Sequence, residues 1–368
     1  MSKFIKKLGF HSNGTPRRWL KTLVFEFELA PRNLFKSFVY DRSGVIKPNF
    51  QSWLPRALQN PPMSKNNAWV TRRQQIIDSN RLSNTRTVSV ICTRQTMFVA
   101  NAIQNQLSAL GFQADVGLTM PKIFDADLYI VICPQMFERL PPREQRIVFQ
   151  MEQSISPRWF TQDYLNILYN SLAVFDYSEK NIQFLQAKGI PAESFYYMPL
   201  SPVKDYIPLG FSKSLASSKN NPTCDVLFYG DIKNKRRKNF LKVLRSHFDV
   251  RIETNLFDEA LWRALAGAKV VVNIHYYENA LLESTRICEC LSLGARLVSE
   301  TASDQAQYSD WEDLVVFTPT NDVQAMVRAI QDILKNPSPT THSLDDHHFK
   351  LPMALAQALR SLHIAPWR

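Results

Sequence analysis

Two carboxylates, a histidine and a basic run stand where an α/β chain presents chemistry to a ligand. Glu152 lies in a Met-Glu-Gln string directly after the apolar run of residues 145–151. A carboxylate there must be hydrogen-bonded or functional, because burying it unpaired is costly. Glu152 is therefore the first candidate for a general base that takes a proton from an attacking hydroxyl. Asp176, in the next apolar run, is the second, with the alternative that it caps the helix starting at Ser178–Glu179. His275 ends the run VVVNIH; it either binds a phosphate or departing group or is a satisfied histidine at a cleft edge. After Gly230, which lets the chain turn tightly, the run KNKRRK sets Arg236 and Arg237 at the start of a helix. Guanidinium forks suit phosphate, and a helix start adds free N–H groups and the positive end of its dipole. The alternative is a solvated basic turn.

Positioning such groups requires strands that end at a common edge. From Thr87 onward, short apolar runs alternate with amphipathic stretches: TVSVIC, DLYIVIC, QRIVFQM and AVFDY are the clearest strands of a first set. Residues 202–222, with prolines, serines and a Lys-Asn-Asn run, show no periodicity and read as a linker. The alternation then restarts with strands at 225–229, 250–254, 269–275, 295–299 and 314–317, and helices between them. Strands and helices at this spacing predict parallel sheets covered on both faces. The fold class expected is α/β, with two Rossmann-like domains facing across a cleft and a basic N-terminal extension. The expected division is 1–86 extension, 87–205 first domain, 206–222 linker, 223–340 second domain, and 341–368 a C-terminal loop and helix. Ligands of such sheets bind beyond the carboxyl ends of the strands.

The charge is segregated. Residues 1–86 hold 16 Lys/Arg against 4 Asp/Glu, and the other 282 residues hold 28 against 29. The basic segment is interleaved with aromatics such as Phe4, Trp19, Phe35 and Trp53, a pattern that suits an anionic membrane surface or a solvated extension. No RNA- or DNA-binding motif supports nucleic acid. The five cysteines are odd in number and mostly in apolar runs, which argues against a disulfide framework and for a reducing compartment. No apolar stretch is long enough to span a bilayer, and the lysines at the N-terminus are not followed by the apolar core of a secretory signal. The expected location is cytoplasmic, at the inner membrane face if the extension binds lipid.

The second half resembles the nucleotide-binding domain of GT-B glycosyltransferases, in particular the group 1 and spore-maturation-like branches. The segments carrying the likeness are DVLFYGDIKNKRRKNFLKVL (residues 225–244), VVVNIHYYENALLESTRICECLSLGARLVSE (270–300), and the spacing to the strand at 314–317. Upstream, FQMEQ and FDYSEKNIQFL are similar to the acceptor half of such enzymes. The resemblance implies a glycosyltransferase of the hexosyltransferase kind, with a nucleotide-sugar donor, a glycan or lipid-linked acceptor, and neither cofactor nor metal. It implies that Glu289, before the small-residue helix end Cys-Leu-Ser-Leu-Gly, accepts hydrogen bonds from the ribose hydroxyls. Arg286, one turn earlier, either meets the diphosphate or pairs with Glu289. Retaining members carry another Glu eight residues before the ribose one; here that position is Leu281, with Glu278 and Glu283 as the nearest acids. Glu283 is thus a candidate sugar contact, and stereochemistry does not carry over. Alternatives are a sugar-nucleotide epimerase, another enzyme on the same scaffold, or a non-catalytic binding protein. Asp125-Ala126-Asp127 mimics a metal-binding DxD but precedes its strand, so it reads as a turn. Asp345-Asp346-His347-His348 reads as a surface run, and Cys288 and Cys290 cannot face the same way on a helix.

Overall fold

The computed structural model describes residues 68–204, 206, 221–336 and 350–364. Most of the N-terminal extension, most of the linker and the Asp345–His348 run lie outside them.

The first domain holds strands β1 (Thr87–Ile91), β2 (Gln113–Gly117), β3 (Leu128–Ile132), β4 (Arg146–Gln150), β5 (Ala173–Asp176) and β6 (Phe195–Tyr197). They form one parallel sheet in the order β2-β1-β3-β4-β5-β6. β3, β4 and β5 are buried along their whole length, so they read as unbroken apolar runs rather than alternating ones. Helices α1 (Ala68–Asp78), α2 (Met97–Ala109), α3 (Gln162–Tyr169) and α4 (Glu179–Ala187) belong to this half. The second domain holds β7 (Cys224–Tyr229), β8 (Val250–Glu253), β9 (Ala268–Asn273), β10 (Leu297–Glu300) and β11 (Val316–Thr318), parallel in the order β11-β10-β9-β7-β8. Its helices are α5 (Lys235–Arg245), α6 (Asp258–Ala266), α7 (Ser284–Ser292) and α8 (Val323–Lys335). Two Rossmann-like α/β domains are therefore present, each with its strand order reversing at its first strand, beside β1 and beside β7. That reversal opens a crevice at the carboxyl ends.

The sequence pattern places residues 68–86 in the extension, yet α1 packs into the first domain. Trp69, Ile76 and Ile77 are buried in its core, and the buried Arg73 donates to the carbonyls of Leu172 (2.5 Å) and Glu193 (2.6 Å). The helix is hard to see in the sequence because its apolar residues are set among arginines and glutamines, although the buried ones, Trp69, Ile76 and Ile77, are large. The C-terminal helix α9 (Lys350–Ser361) also returns to the first domain, where Leu351, Leu355 and Leu359 join the same core and His363 Nδ1 meets the Ile77 carbonyl at 3.1 Å. That core runs on into the second domain through Leu261, Leu291 and Trp311, so the two sheets share one apolar body.

Polar bonds cross between the domains as well. The Gln153 side chain pairs with the backbone of Leu281 twice, donating to its carbonyl (3.3 Å) and accepting its N–H (3.1 Å). Ser178 Oγ donates to Asp304 (3.1 Å), whose other oxygen accepts the Leu282 N–H (2.9 Å), and Lys180 donates to the Ser303 carbonyl. The residues just before α7 are thereby held from both sides.

Candidate active site

A cavity of about 760 Å³ lies between the carboxyl ends of the two sheets. Arg94 and Gln95 after β1, Met151–Gln153 after β4 and Tyr177 after β5 form one wall. Tyr229–Lys233 after β7, Thr254–Asp258 after β8, Tyr276 and Tyr277 after β9, and the start of α7 form the other.

Glu152 is on the first-domain wall of the cavity. Gln135 Nε2 donates to its carboxylate at 2.6 Å, and its backbone is fixed by Gln150 and by Asn181, which donates to its carbonyl at 3.0 Å. Burial pushes the carboxyl up, against the opposing pull of Gln135. A partly buried carboxyl with raised basicity, facing a cavity, has the character of a general base.

Asp176 does not face the cavity. It is fully buried beneath the floor, where its carboxylate accepts from Gln150 Nε2 (2.7 Å), the Ser178 N–H (2.9 Å) and Asn181 Nδ2 (3.1 Å). Burial raises its pKa to about 8 despite those donors. Because Gln150 and Asn181 also hold the Glu152 backbone, Asp176 positions Glu152. The cap alternative is met in part: it is the N–H of Ser178, preceding α4, that Asp176 accepts.

On the second-domain wall Gly230 has φ 137°, and a Cβ there would come 3.0 Å from Arg286 Nη2. Glycine lets the guanidinium approach the turn. The two arginines of the basic run do not reach the cavity. Asn234 caps α5, its Oδ1 accepting the N–H of Arg236 at 2.7 Å, so the helix starts at Lys235 and the arginines fall in its first turn. Arg236 turns toward the neighbouring strand ends, donating to the His275 carbonyl (2.7 Å), Asn321 Oδ1 (2.8 Å) and Glu300. Arg237 is buried between the rings of Phe228 and Tyr276, and donates to the Ile274 carbonyl (2.8 Å), the Asp231 carbonyl (3.1 Å) and Glu283 Oε1 (2.8 Å). Both guanidiniums are taken up by protein partners.

Glu283 sits at the start of α7 between Arg237 and Arg286, whose Nη1 is 2.6 Å from its Oε2. Burial alone would raise its pKa, but Arg286 and Arg237 together hold it well below the usual carboxylate range. Arg286 thus pairs with Glu283 rather than Glu289, and also donates to Asn273 Oδ1 at 2.7 Å. Its Nε is buried with no hydrogen-bond partner among the described residues, although the residue lines the cavity. His275 is fully buried behind this pair, with Nδ1 3.9 Å from Glu283 and Nε2 3.2 Å from the Glu300 carbonyl; it does not line the cavity. Glu289 does line it, and burial raises its pKa to about 7, with Arg286 opposing.

Sequence reasoning passes over two cations that do face the cavity, Arg94 and Lys233. Both are exposed, and no side-chain partner holds either among the described residues. Lys233 belongs to the basic run itself; its position in the turn, before the cap residue, is the available signal. Arg94 is marked only by following the end of β1. Asp127 is a turn residue as expected, accepting from the N–H groups of Arg86 and Thr87 at 2.9 Å each. All five cysteines are free and buried. Among the described residues no group of three or more His, Cys, Asp or Glu could hold a metal ion, and no helix is long and apolar enough to cross a membrane.

No protein-family model matches this sequence, and no curated protein does. Solved structures are similar in backbone only. A sucrose-phosphate synthase from Thermosynechococcus elongatus is 12% identical, covering 75% of this chain and 99% of that one, with a TM-score of 0.48. HepE of Anabaena, in complex with UDP and glucose, is 11% identical, covering 76% and 100%, at 0.46. A putative UDP-N-acetylglucosamine 2-epimerase from Listeria monocytogenes is 9% identical, covering 76% and 96%, at 0.45. Similarity of this degree carries nothing about function.

Proposed function

We propose that the chain is a GT-B glycosyltransferase that holds a nucleotide-diphosphate sugar against its second domain and an acceptor hydroxyl against its first. One observation carries this reading. The cavity joins a partly buried carboxyl, Glu152, on one wall to the opening turn of α7 and the exposed cation Lys233 on the other. A leaving diphosphate gains negative charge as the sugar bond breaks, and fixed donors aimed at it lower the barrier. Lys233 and the N–H groups of Thr285 and Arg286 in the first turn of α7 supply those donors without a metal. Glu289, further along the same helix, accepts from the ribose hydroxyls. In an inverting displacement the acceptor hydroxyl attacks the anomeric carbon, its proton passes to Glu152, and the nucleotide leaves with the bonding pair. The acceptor is a glycan or lipid-linked glycan, and the enzyme works on the cytoplasmic side, with its basic N-terminal segment against the inner membrane face.

Calorimetric titration with UDP, GDP and ADP, each beside its nucleoside, tests the donor site. Lys233→Ala should weaken the bound diphosphate roughly 10- to 100-fold, as for loss of a charge-assisted hydrogen bond, and leave the nucleoside unchanged. Arg236→Ala should lower stability instead. Equal loss for diphosphate and nucleoside on removing Lys233 would contradict the assignment.

A further inference from the structure

A second cavity, of about 690 Å³, opens beside the first and shares Arg94, Gln95 and Phe257 with it. Its lining gathers five large apolar side chains beside polar ones such as Thr119, Glu138 and Arg139: Leu118 and Met120 follow β2, Met136 and Phe137 follow β3, and Phe257 approaches from the second domain. Soluble surfaces seldom gather large apolar side chains around an open groove without a ligand to cover them. Here the gathering is local. The described residues include five large apolar side chains exposed by 40% or more, and two of them line this groove, Leu118 (41%) and Met136 (58%), with a third, Ile123 (64%), on the loop that follows Leu118.

The groove is also preformed. Arg139 donates to the carbonyls of Pro121 (2.7 Å) and Lys122 (3.1 Å) and lies 5.1 Å over the ring of Phe124, which pins the 118–124 loop to the chain after β3. At the junction of the two cavities stands Arg94, exposed and without a side-chain partner among the described residues.

We infer that this groove is the acceptor subsite for an amphipathic molecule. Its aliphatic or aromatic portion lies over Leu118, Met120, Met136 and Phe137, and its polar, hydroxyl-bearing head passes Arg94 toward Glu152. The inference rests on reading the larger cavity as a transfer site, and it narrows the acceptor from any glycan to one with an apolar portion next to the reacting sugar.

The test uses the full chain labelled with ¹³C-methyl methionine, with Met120 and Met136 assigned by Met→Leu variants. It is titrated with n-octyl β-glucoside below its micelle concentration, and separately with methyl β-glucoside. The Met120 and Met136 methyl signals should shift saturably with the octyl compound and not with the methyl one, while the exposed Met353 on α9, which lines neither cavity, stays still. Leu118→Asp, at an exposed position, should weaken the octyl response about tenfold, in line with the loss of one apolar contact, and leave UDP binding unchanged. Unmoved Met120 and Met136 signals, or an equal shift at Met353, overturn the subsite. So does a response to phosphatidylglycerol vesicles without one to octyl glucoside, which would make this face a bilayer contact. UDP titration of the same sample separates the premise: no UDP response beside intact methyl shifts refutes the transfer reading and leaves a groove for an amphiphile.

Discussion

Glu289 lines the cavity with a pKa raised by burial to about 7, so near neutrality its proton is in play. Ribose hydroxyls that donate to it favour the ionised form, and nucleoside binding must then expel the proton. Affinity should rise as pH climbs from about 5 through 7, by at most about tenfold per unit, and level off above. Calorimetry in buffers of different ionisation enthalpy would register the released proton; buffer-independent heats would remove Glu289 from the ribose site. For stability the sign is opposite. The folded chain holds this proton where the unfolded one has lost it, so the contribution is full below about 4.3 and is lost as pH rises through about 7. The neighbouring Glu283 behaves differently because two guanidiniums flank it. Replacing the buried Arg237 by Met removes one of these and leaves a partly buried carboxylate half-compensated, which should cost about 3 kcal/mol in urea unfolding. A second change, Glu283→Gln, should restore part of that loss, whereas simple additivity would show that the pair is not coupled.

Among the elements, α7 matters most, and it is placed by its neighbours rather than by its own cap. Its N-cap residue Glu283 makes no capping hydrogen bond. The two residues before it are gripped instead by Gln153, adjacent to the proposed base, and by Asp304, which also holds Ser178 of the first domain. Groups of the first and second domains are therefore tied through backbone amides. Gln153→Ala should speed hydrogen exchange at Leu281 and Leu282, lower stability by about 1–3 kcal/mol for two lost bonds, and weaken UDP binding. Unchanged exchange at both amides would show that the first domain does not hold the loop.

At the scale of the molecule, the packed part begins no later than Ala68. Residues 1–67 carry 12 Lys/Arg against 3 Asp/Glu, so most of the basic excess lies before that point. A chain starting at residue 68 should lose affinity for anionic vesicles, and the full chain's binding should fade with salt. Starting at Thr87 instead removes the buried Trp69, Ile76 and Ile77 and the Arg73 bonds, and should cost about 5 kcal/mol. Flotation with neutral and anionic lipid, beside thermal unfolding, checks both statements. Equal flotation of the full and 68-start chains would end the membrane role.

The strand runs, the α/β class and the two-domain plan are legible in the sequence because apolar periodicity is local and each buried strand announces itself. The position of Glu152 is legible for the same reason: it directly follows such a run. What cannot be read is the direction of side chains at helix starts and strand ends. Arg236 and Arg237 look like phosphate ligands by spacing, but the cap at Asn234 and the carbonyls after β9 turn them into braces. Asp176 and His275 stand at strand ends too, yet both are covered by the other residues of the fold. Gln153 and Asp304 gain their roles from partners more than a hundred residues away in the opposite domain, and no local pattern encodes a contact of that range. Local pattern determines which groups end near the cleft; packing within and between the domains decides which of them face it.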